Sequence, residues 1–289
     1  MSMDAVGENI AGAFDASVAT PGHPDGEYAV EVIDLVTHWG ERKILNNVNI
    51  KVPHGEIMVI MGGSGSGKST CLTHMLRLHR PTSGSIRLLG KDINEIPAMQ
   101  LYELRKKTGV AFQYGALFSS MSVGENIMLP LREHTKLDRG TMEIMMRLKL
   151  EVVDLAGFED FMPSELSGGM MKRAAMARAV IMDPKLLFLD EPSAGLDPVV
   201  AASLDDLILR LRDAMGMSIV VVTHELDSAF KIADKITVLD KGEVLISAPK
   251  DEVRNSPNAR VQNLLNRRTE EVILDPDEYL RRLVGERID

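Results

Sequence analysis

Apolar and polar residues alternate along two stretches near the start of the chain, Tyr28 to Val36 and Ile44 to Val52. This period of two predicts half-exposed antiparallel strands. Three other stretches are apolar without interruption: Ile57-Met58-Val59-Ile60-Met61, Leu186 to Leu189, and Ile219 to Val222. Short continuous runs of this kind predict strands of a parallel sheet covered on both faces. The last two end on polar residues, Asp190 and Thr223-His224, which places polar groups at one edge of that sheet. A short strand is predicted over Ser85 to Leu89, another at Gly109-Val110-Ala111-Phe112 just before Gln113, and a hairpin after Lys235 to Gly242.

Between about 115 and 182 the pattern changes to a helical period, and ten of the chain's 18 methionines fall there. The segment reads as a helical subdomain with adaptable thioether packing. Residues 1–26 hold four carboxylates, no Lys or Arg, and little large apolar surface, so they are expected to form a loose acidic tail. One nucleotide-binding domain is expected over 27–265, followed by an extension over 266–289. In the extension Asp275 and Pro276 read as a helix start, and Tyr279, Leu280, Leu283 and Val284 share one face.

Composition narrows this only slightly. At 289 residues, 45% hydrophobic and 26% charged, the chain reads as globular. No apolar run approaches the roughly 20 residues of a membrane-spanning helix, and no secretory leader is visible. The single Cys71 excludes an internal disulfide and fits a reducing compartment. A net charge of −9 without a basic stripe argues against nucleic acid as a partner.

The chemistry begins where the run at Ile57 ends. Gly62-Gly63-Ser64-Gly65-Ser66-Gly67-Lys68-Ser69-Thr70 fits the phosphate-binding pattern G-x-x-x-x-G-K-[ST], with a predicted strand before it and a helical pattern after it. Glycines let backbone N–H groups point at an anion, and the helix start adds its positive end. Lys68 is expected to reach the β- and γ-phosphates and Ser69 to hold Mg²⁺. Asp190-Glu191 places paired acids at a strand end, where Asp190 would support Mg²⁺ and Glu191 would act as general base toward water. Leu166-Ser167-Gly168-Gly169-Met170 opens a second helix with a hydroxyl and bare amides, a second anion site. One nucleotide cannot easily use both sites within a monomer. A head-to-tail pair, in which each Ser167 loop closes over the other chain's Lys68 loop, resolves this.

Taken in order, these motifs resemble the ATPase subunit of ATP-binding cassette transporters over roughly residues 27–250. The resemblance implies an α/β P-loop NTPase fold with a RecA-like core, an antiparallel β subdomain and an α-helical subdomain, binding ATP and Mg²⁺ as a homodimer. It assigns Gln113 to Mg²⁺ or its water, Glu191 and His224 to catalysis, Ser193 to Asp197 to the D-loop, and Trp39 to stacking on adenine. Ser167, Gly168 and Gly169 become contacts to the partner's nucleotide. Narrower stretches, Phe112 to Phe118, Glu125 to Thr135 and Met162 to Met170, are similar to the ATPases of MCE-type lipid transporters such as the Mla system. Met170, where the wider family has glutamine, matches that branch. This narrower resemblance implies phospholipid cargo and a permease dimer of the MlaE kind. It also implies an MCE-domain substrate-binding protein, a STAS-domain subunit and a place on the cytoplasmic side of a bacterial inner membrane. A transporter ATPase for another cargo, and a non-transport cassette ATPase, stay open at this stage.

Overall fold

The computed structural model describes residues 24–267. The amphipathic helix expected over 275–289 and all but the last three residues of the expected tail lie outside the described residues.

Two sheets organise the chain. The first is antiparallel, in the order β2 (Arg42–Val52), β1 (Val30–Trp39), β4 (Ser83–Leu88), β5 (Lys91–Asp92). The two alternating stretches of the sequence are its β1 and β2, paired from Val30 opposite Val52 to Trp39 opposite Arg42. The second sheet runs β10 (Glu243–Pro249), β9 (Lys235–Asp240), β3 (Ile57–Met61), β8 (Ser218–Thr223), β7 (Leu186–Asp190), β6 (Thr108–Ala111). Its strands are parallel except β10, which returns from β9 as a hairpin.

The continuous apolar runs are explained by what lies on each face. On β3, Ile57, Val59 and Met61 enter one core while Met58 and Ile60 enter another, and β7 and β8 divide their residues in the same way. A strand with two dry faces has no position for a polar side chain. One core is closed by the helices α3 (Val123–His134), α4 (Arg139–Val152), α5 (Gly168–Val180) and α6 (Pro198–Met215). The other is closed by the antiparallel sheet and by α1 (Lys68–Met75), with α2 (Ala98–Arg105) at its margin. Methionines Met128, Met142, Met145, Met146, Met170 and Met176 all pack into the helical side.

Helix starts follow local chemistry. Ser122 and Glu125 form a reciprocal capping box on α3, and Asp138 caps α4. Asp197 accepts from two backbone N–H groups at the start of α6, where Pro198 takes the first helical position. The chain continues through α7 (Leu226–Ile232) before β9, and through α8 (Lys250–Arg254) and α9 (Ala259–Leu265) after β10. Among the described residues no helix is long and apolar enough to cross a membrane.

Candidate active site

The site forms where the parallel strands end. Strand β3 lies between β8 and β9, so its loop emerges at the middle of the sheet edge. Gly62 begins that loop because nothing larger fits: a Cβ there would fall 2.1 Å from the Leu239 carbonyl oxygen. Gly67 adopts φ +104 to start α1, and its own Cβ would meet Leu45 at 2.6 Å. The Ser66 hydroxyl is buried inside the loop with no hydrogen-bond partner among the described residues. Lys68 is buried and donates from Nζ to the carbonyl oxygens of Gly62 (2.8 Å) and Gly63 (3.0 Å). Burial lowers its pKa, against the opposing pull of Glu191 and Asp190. Ser69 is exposed at the same helix start and Thr70 is buried behind it.

Strand β7 ends in Asp190, whose carboxyl is held above the ordinary carboxylate range by burial and then by the adjacent Glu191, with Lys68 and Lys172 opposing. Glu191 is almost fully buried and left-handed at φ 46, an uncommon backbone for a residue with a side chain. The end of β8 holds its carboxylate. Oε2 accepts from Thr223 Oγ1 at 3.0 Å and from the His224 backbone N–H at 3.3 Å, and Oε1 lies 2.8 Å from His224 Nδ1. A carboxylate only accepts, so Nδ1 carries the proton of that contact, while Nε2 lies 3.5 Å from a second carboxylate oxygen, Glu225 Oε1. The Glu191 carbonyl accepts from Lys172 Nζ at 2.7 Å.

One cleft of about 760 Å³ gathers most of the residues singled out by sequence. Gly62, Gly63, Ser64, Gly65, Lys68, Ser69, Gln113, Glu191 and His224 all form its walls. Ser66 and Gly67 belong to the same loop, Thr70 to α1 behind it, and Asp190 to the end of β7. Trp39, Ser167, Gly168 and Gly169 do not wall it. Trp39 ends β1 with 64% of its surface exposed. Ser167 caps α5, its Oγ accepting from Met170 N at 3.3 Å, and it is exposed together with Gly168.

Several participants carried no signal in the sequence. Lys172 reads there only as one polar position of a helix, and Thr223 as the end of an apolar run. The wall residues Asn263, Leu264 and Arg267 lie far beyond the recognisable motifs. A buried chain also runs beneath the loop after Glu191: the Ser193 and Ser228 hydroxyls lie 3.1 Å apart, and Ser228 also bonds Asp205, whose carboxyl is raised first of all by its burial.

With this geometry in place, comparison with known proteins defines the class. Residues 45–194 match the ABC transporter family, and the chain belongs to that family as an ATPase subunit that binds and hydrolyses ATP. It is 39% identical over 236 residues to the intermembrane phospholipid transport system ATP-binding protein MlaF of Haemophilus influenzae, covering 82% of this chain and 89% of that protein. It is also 39% identical over 257 residues to the probable ribonucleotide transport ATP-binding protein mkl of Mycobacterium tuberculosis, covering 89% of this chain and 71% of that protein. Among solved structures it is similar to a dimeric post-hydrolysis state of an ATP-binding cassette bound to ADP and Pi. That likeness has a TM-score of 0.70 and 30% identity, over 76% of this chain and 98% of the other.

Proposed function

We propose that this chain powers phospholipid transport between the inner and outer membranes of a bacterium, as one of two ATPase subunits docked beneath a permease dimer. The observation that carries the cargo is the 39% identity to MlaF over nearly the whole of that protein. The name of the mycobacterial relatives points instead to ribonucleotides. Phe112 to Phe118, Glu125 to Thr135 and the signature ending in Met170 favour the lipid branch. The dimeric cassette structure supports a homodimer. An MCE-domain substrate-binding protein and a STAS-domain subunit complete the proposed assembly, which places this subunit on the cytoplasmic side of the inner membrane.

A docking place for the permease lies next to Gln113. An apolar groove of about 310 Å³ is lined by Leu76, Leu78, Leu101, Leu104, Val110 and Phe112, and Met99, Tyr114 and Phe118 are exposed nearby in sequence. Because Gln113 sits between that surface and the phosphate cleft, movement at the phosphates has a short path to the groove.

In the cleft, Lys68 would release the loop carbonyls and meet the outer phosphates, Trp39 would stack on adenine, and Ser66 Oγ would gain the partner it lacks. Ser167, Gly168 and Gly169 would contact the nucleotide held by the other subunit. The donor set suits Mg²⁺: Ser69, Gln113 and Asp190 offer oxygen ligands, and no cluster of three His, Cys, Asp or Glu among the described residues makes an all-protein cage. Bound there, Mg²⁺ would supply positive charge at the phosphate oxygens. Glu191, poised by Thr223 and His224, would take the proton of the attacking water. For His224 to donate to the γ-phosphate, its ring must be protonated or leave Glu191, which couples the two residues. Purification of the assembly from detergent-solubilised membranes tests this reading. A multi-span permease recovered with bound phospholipid is expected, and a permease loaded with nucleotide or another solute would overturn it.

A further inference from the structure

The wall of the phosphate cleft is closed on one side by residues outside every motif described above. Helix α9 and the residues after it contribute Asn263, Leu264 and Arg267 to the same cavity as Gly63, Lys68, Glu191 and His224. This placement is fixed by packing. Val261 is fully buried, Leu264 and Leu265 pack on the helical core, and Arg260 pairs with Asp240 at the end of β9. Gln262 Nε2 donates to the carbonyl oxygens of Arg254 (3.0 Å) and Ser256 (2.9 Å), which locks the helix against the turn before it.

Charge gives the arrangement a direction. Two carboxylates, Glu191 and Glu225, share the cleft with the cations Lys68 and Arg267. Without Arg267 the fully charged groups on its walls would sum to a negative value, in a cavity that receives a polyanion. Arg267 is also left-handed, at φ 53, immediately past the end of α9. That backbone ends the helix in the usual way and turns the chain at the edge of the cleft. Cations near helix C-termini are common because they face the negative end of the helix. That explanation alone does not require the residue to wall a phosphate cleft.

We propose that helix α9 and the turn after it complete the nucleotide site in cis, with Arg267 contacting the terminal phosphate of ATP and Asn263 lining the approach. This rests on the P-loop cleft being the nucleotide site. The guanidinium can give two parallel N–H donors to a phosphate, and it is exposed, so it can reach the ligand without breaking a buried contact.

Calorimetry on the full chain in the Glu191→Gln background, so that ATP stays intact, separates the possibilities. Arg267→Ala should weaken ATP about tenfold, the scale of one charge-assisted contact, while leaving ADP within about twofold. Arg267→Lys should keep part of the affinity, because it restores charge without the fork. An unchanged thermal midpoint would show that the loss is not one of folding. Equal weakening of ATP and ADP, or no weakening of either, would overturn the inference. Lys68→Ala serves as the reference: if it too leaves both nucleotides bound, the error lies in the assignment of the cleft and not only in Arg267.

Discussion

Two helices in this chain begin at glycine-rich loops, and the loops are built to opposite specifications. The loop from Gly62 to Ser69 is embedded: it leaves the central strand, its first glycine abuts the Leu239 carbonyl, and its lysine is buried within it. The loop from Ser167 to Met170 faces outward. Its serine already satisfies a backbone N–H of its own helix, and a Cβ on Gly168 would find its nearest neighbour only at 3.6 Å. Gly169 is the exception, since a Cβ there would come within 2.7 Å of Val200. Under the function proposed above, the first loop would hold phosphate from within its own chain. The second is a capped helix start with unused donors, and it becomes a phosphate site only if another molecule brings the phosphate to it.

The largest expected effect breaks the embedded loop. Lys68→Ala should reduce ATP affinity by about 10²-fold or more, because the lost ammonium is replaced in a largely buried site by weaker neutral contacts. Calorimetry checks this, and undiminished affinity would remove the cradle from the argument. Ser167→Arg sharpens the contrast. It should leave ATP binding to the isolated chain within about threefold, since the Ser167 loop does not wall the cleft. In a Glu191→Gln background ATP is expected to shift the chain to dimer, and Ser167→Arg should abolish that shift, with sedimentation as the measurement. A dimer that forms equally well with and without the substitution would leave Ser167 as a helix cap and nothing more.

The two helices also differ in how they are tied down. Helix α5 is held by cations that reach backbone carbonyls: Arg173 bonds Val153 O and Asp154, and Arg178 forks onto Ala116 O (2.8 Å) and Gly115 O (2.9 Å). The Arg178 fork links the outward-facing helix to the loop carrying Gln113. Arg178→Ala should cost about 1–2 kcal/mol in urea unfolding, through two carbonyls left without their donor, and should leave ATP affinity of the isolated chain unchanged. Arg178→Lys should recover less than half of the loss, because an ammonium cannot present the same planar fork. A loss of ATP affinity instead would mean that the two loops are not independent within one chain.

This contrast also marks what could be read from the sequence. Strands β3, β7 and β8 were legible to within about a residue, because a dry strand leaves an unbroken apolar run and because glycines and Lys68 punctuate the first of them. The embedded loop was legible for the same reason: its chemistry is local. The two-residue β5 and the eight-residue α2 were not read, being too short and too weakly patterned to stand out from loop. Nor were the contacts that hold Glu191. Lys172 comes from α5 and the adjacent Thr223 and His224 from the end of β8, and no spacing in the chain encodes their convergence on Glu191. Arg267 is the extreme case, because the hairpin β9–β10 and α9 carry it back to a loop some two hundred residues earlier. Trp39 was legible as an aromatic at a strand end, but its exposure leaves its nucleotide contact to be supplied by the ligand.

An effect of similar size at about pH 8, shrinking as pH falls, concerns the other tie, the one behind the embedded loop. His74 lies in α1, almost fully buried, with Nδ1 3.1 Å from the His79 carbonyl and Nε2 2.8 Å from Thr37 Oγ1 on β1. A carbonyl only accepts, so the proton sits on Nδ1, and Nε2 accepts from the Thr37 hydroxyl. The neutral ring thus joins the P-loop helix to the antiparallel sheet with both nitrogens satisfied. Burial depresses its pKa, with the His79 carbonyl opposing and the neighbouring His79 side chain adding to the depression. The folded state therefore takes up a proton less readily than the unfolded chain, whose histidines titrate near about 6.5. Stability from this group is complete above that value and is lost as pH falls through it toward the folded pKa. His74→Gln should lower stability at about pH 8 by about 1–2 kcal/mol, because it disturbs two buried hydrogen bonds. It should also be less acid-sensitive, so the gap between wild type and variant should narrow as pH falls from about 8 to about 5. Urea midpoints across that range decide the matter: a gap that stays constant would mean that His74 braces the helix by shape alone, and a gap that widens would reverse the sign of the argument.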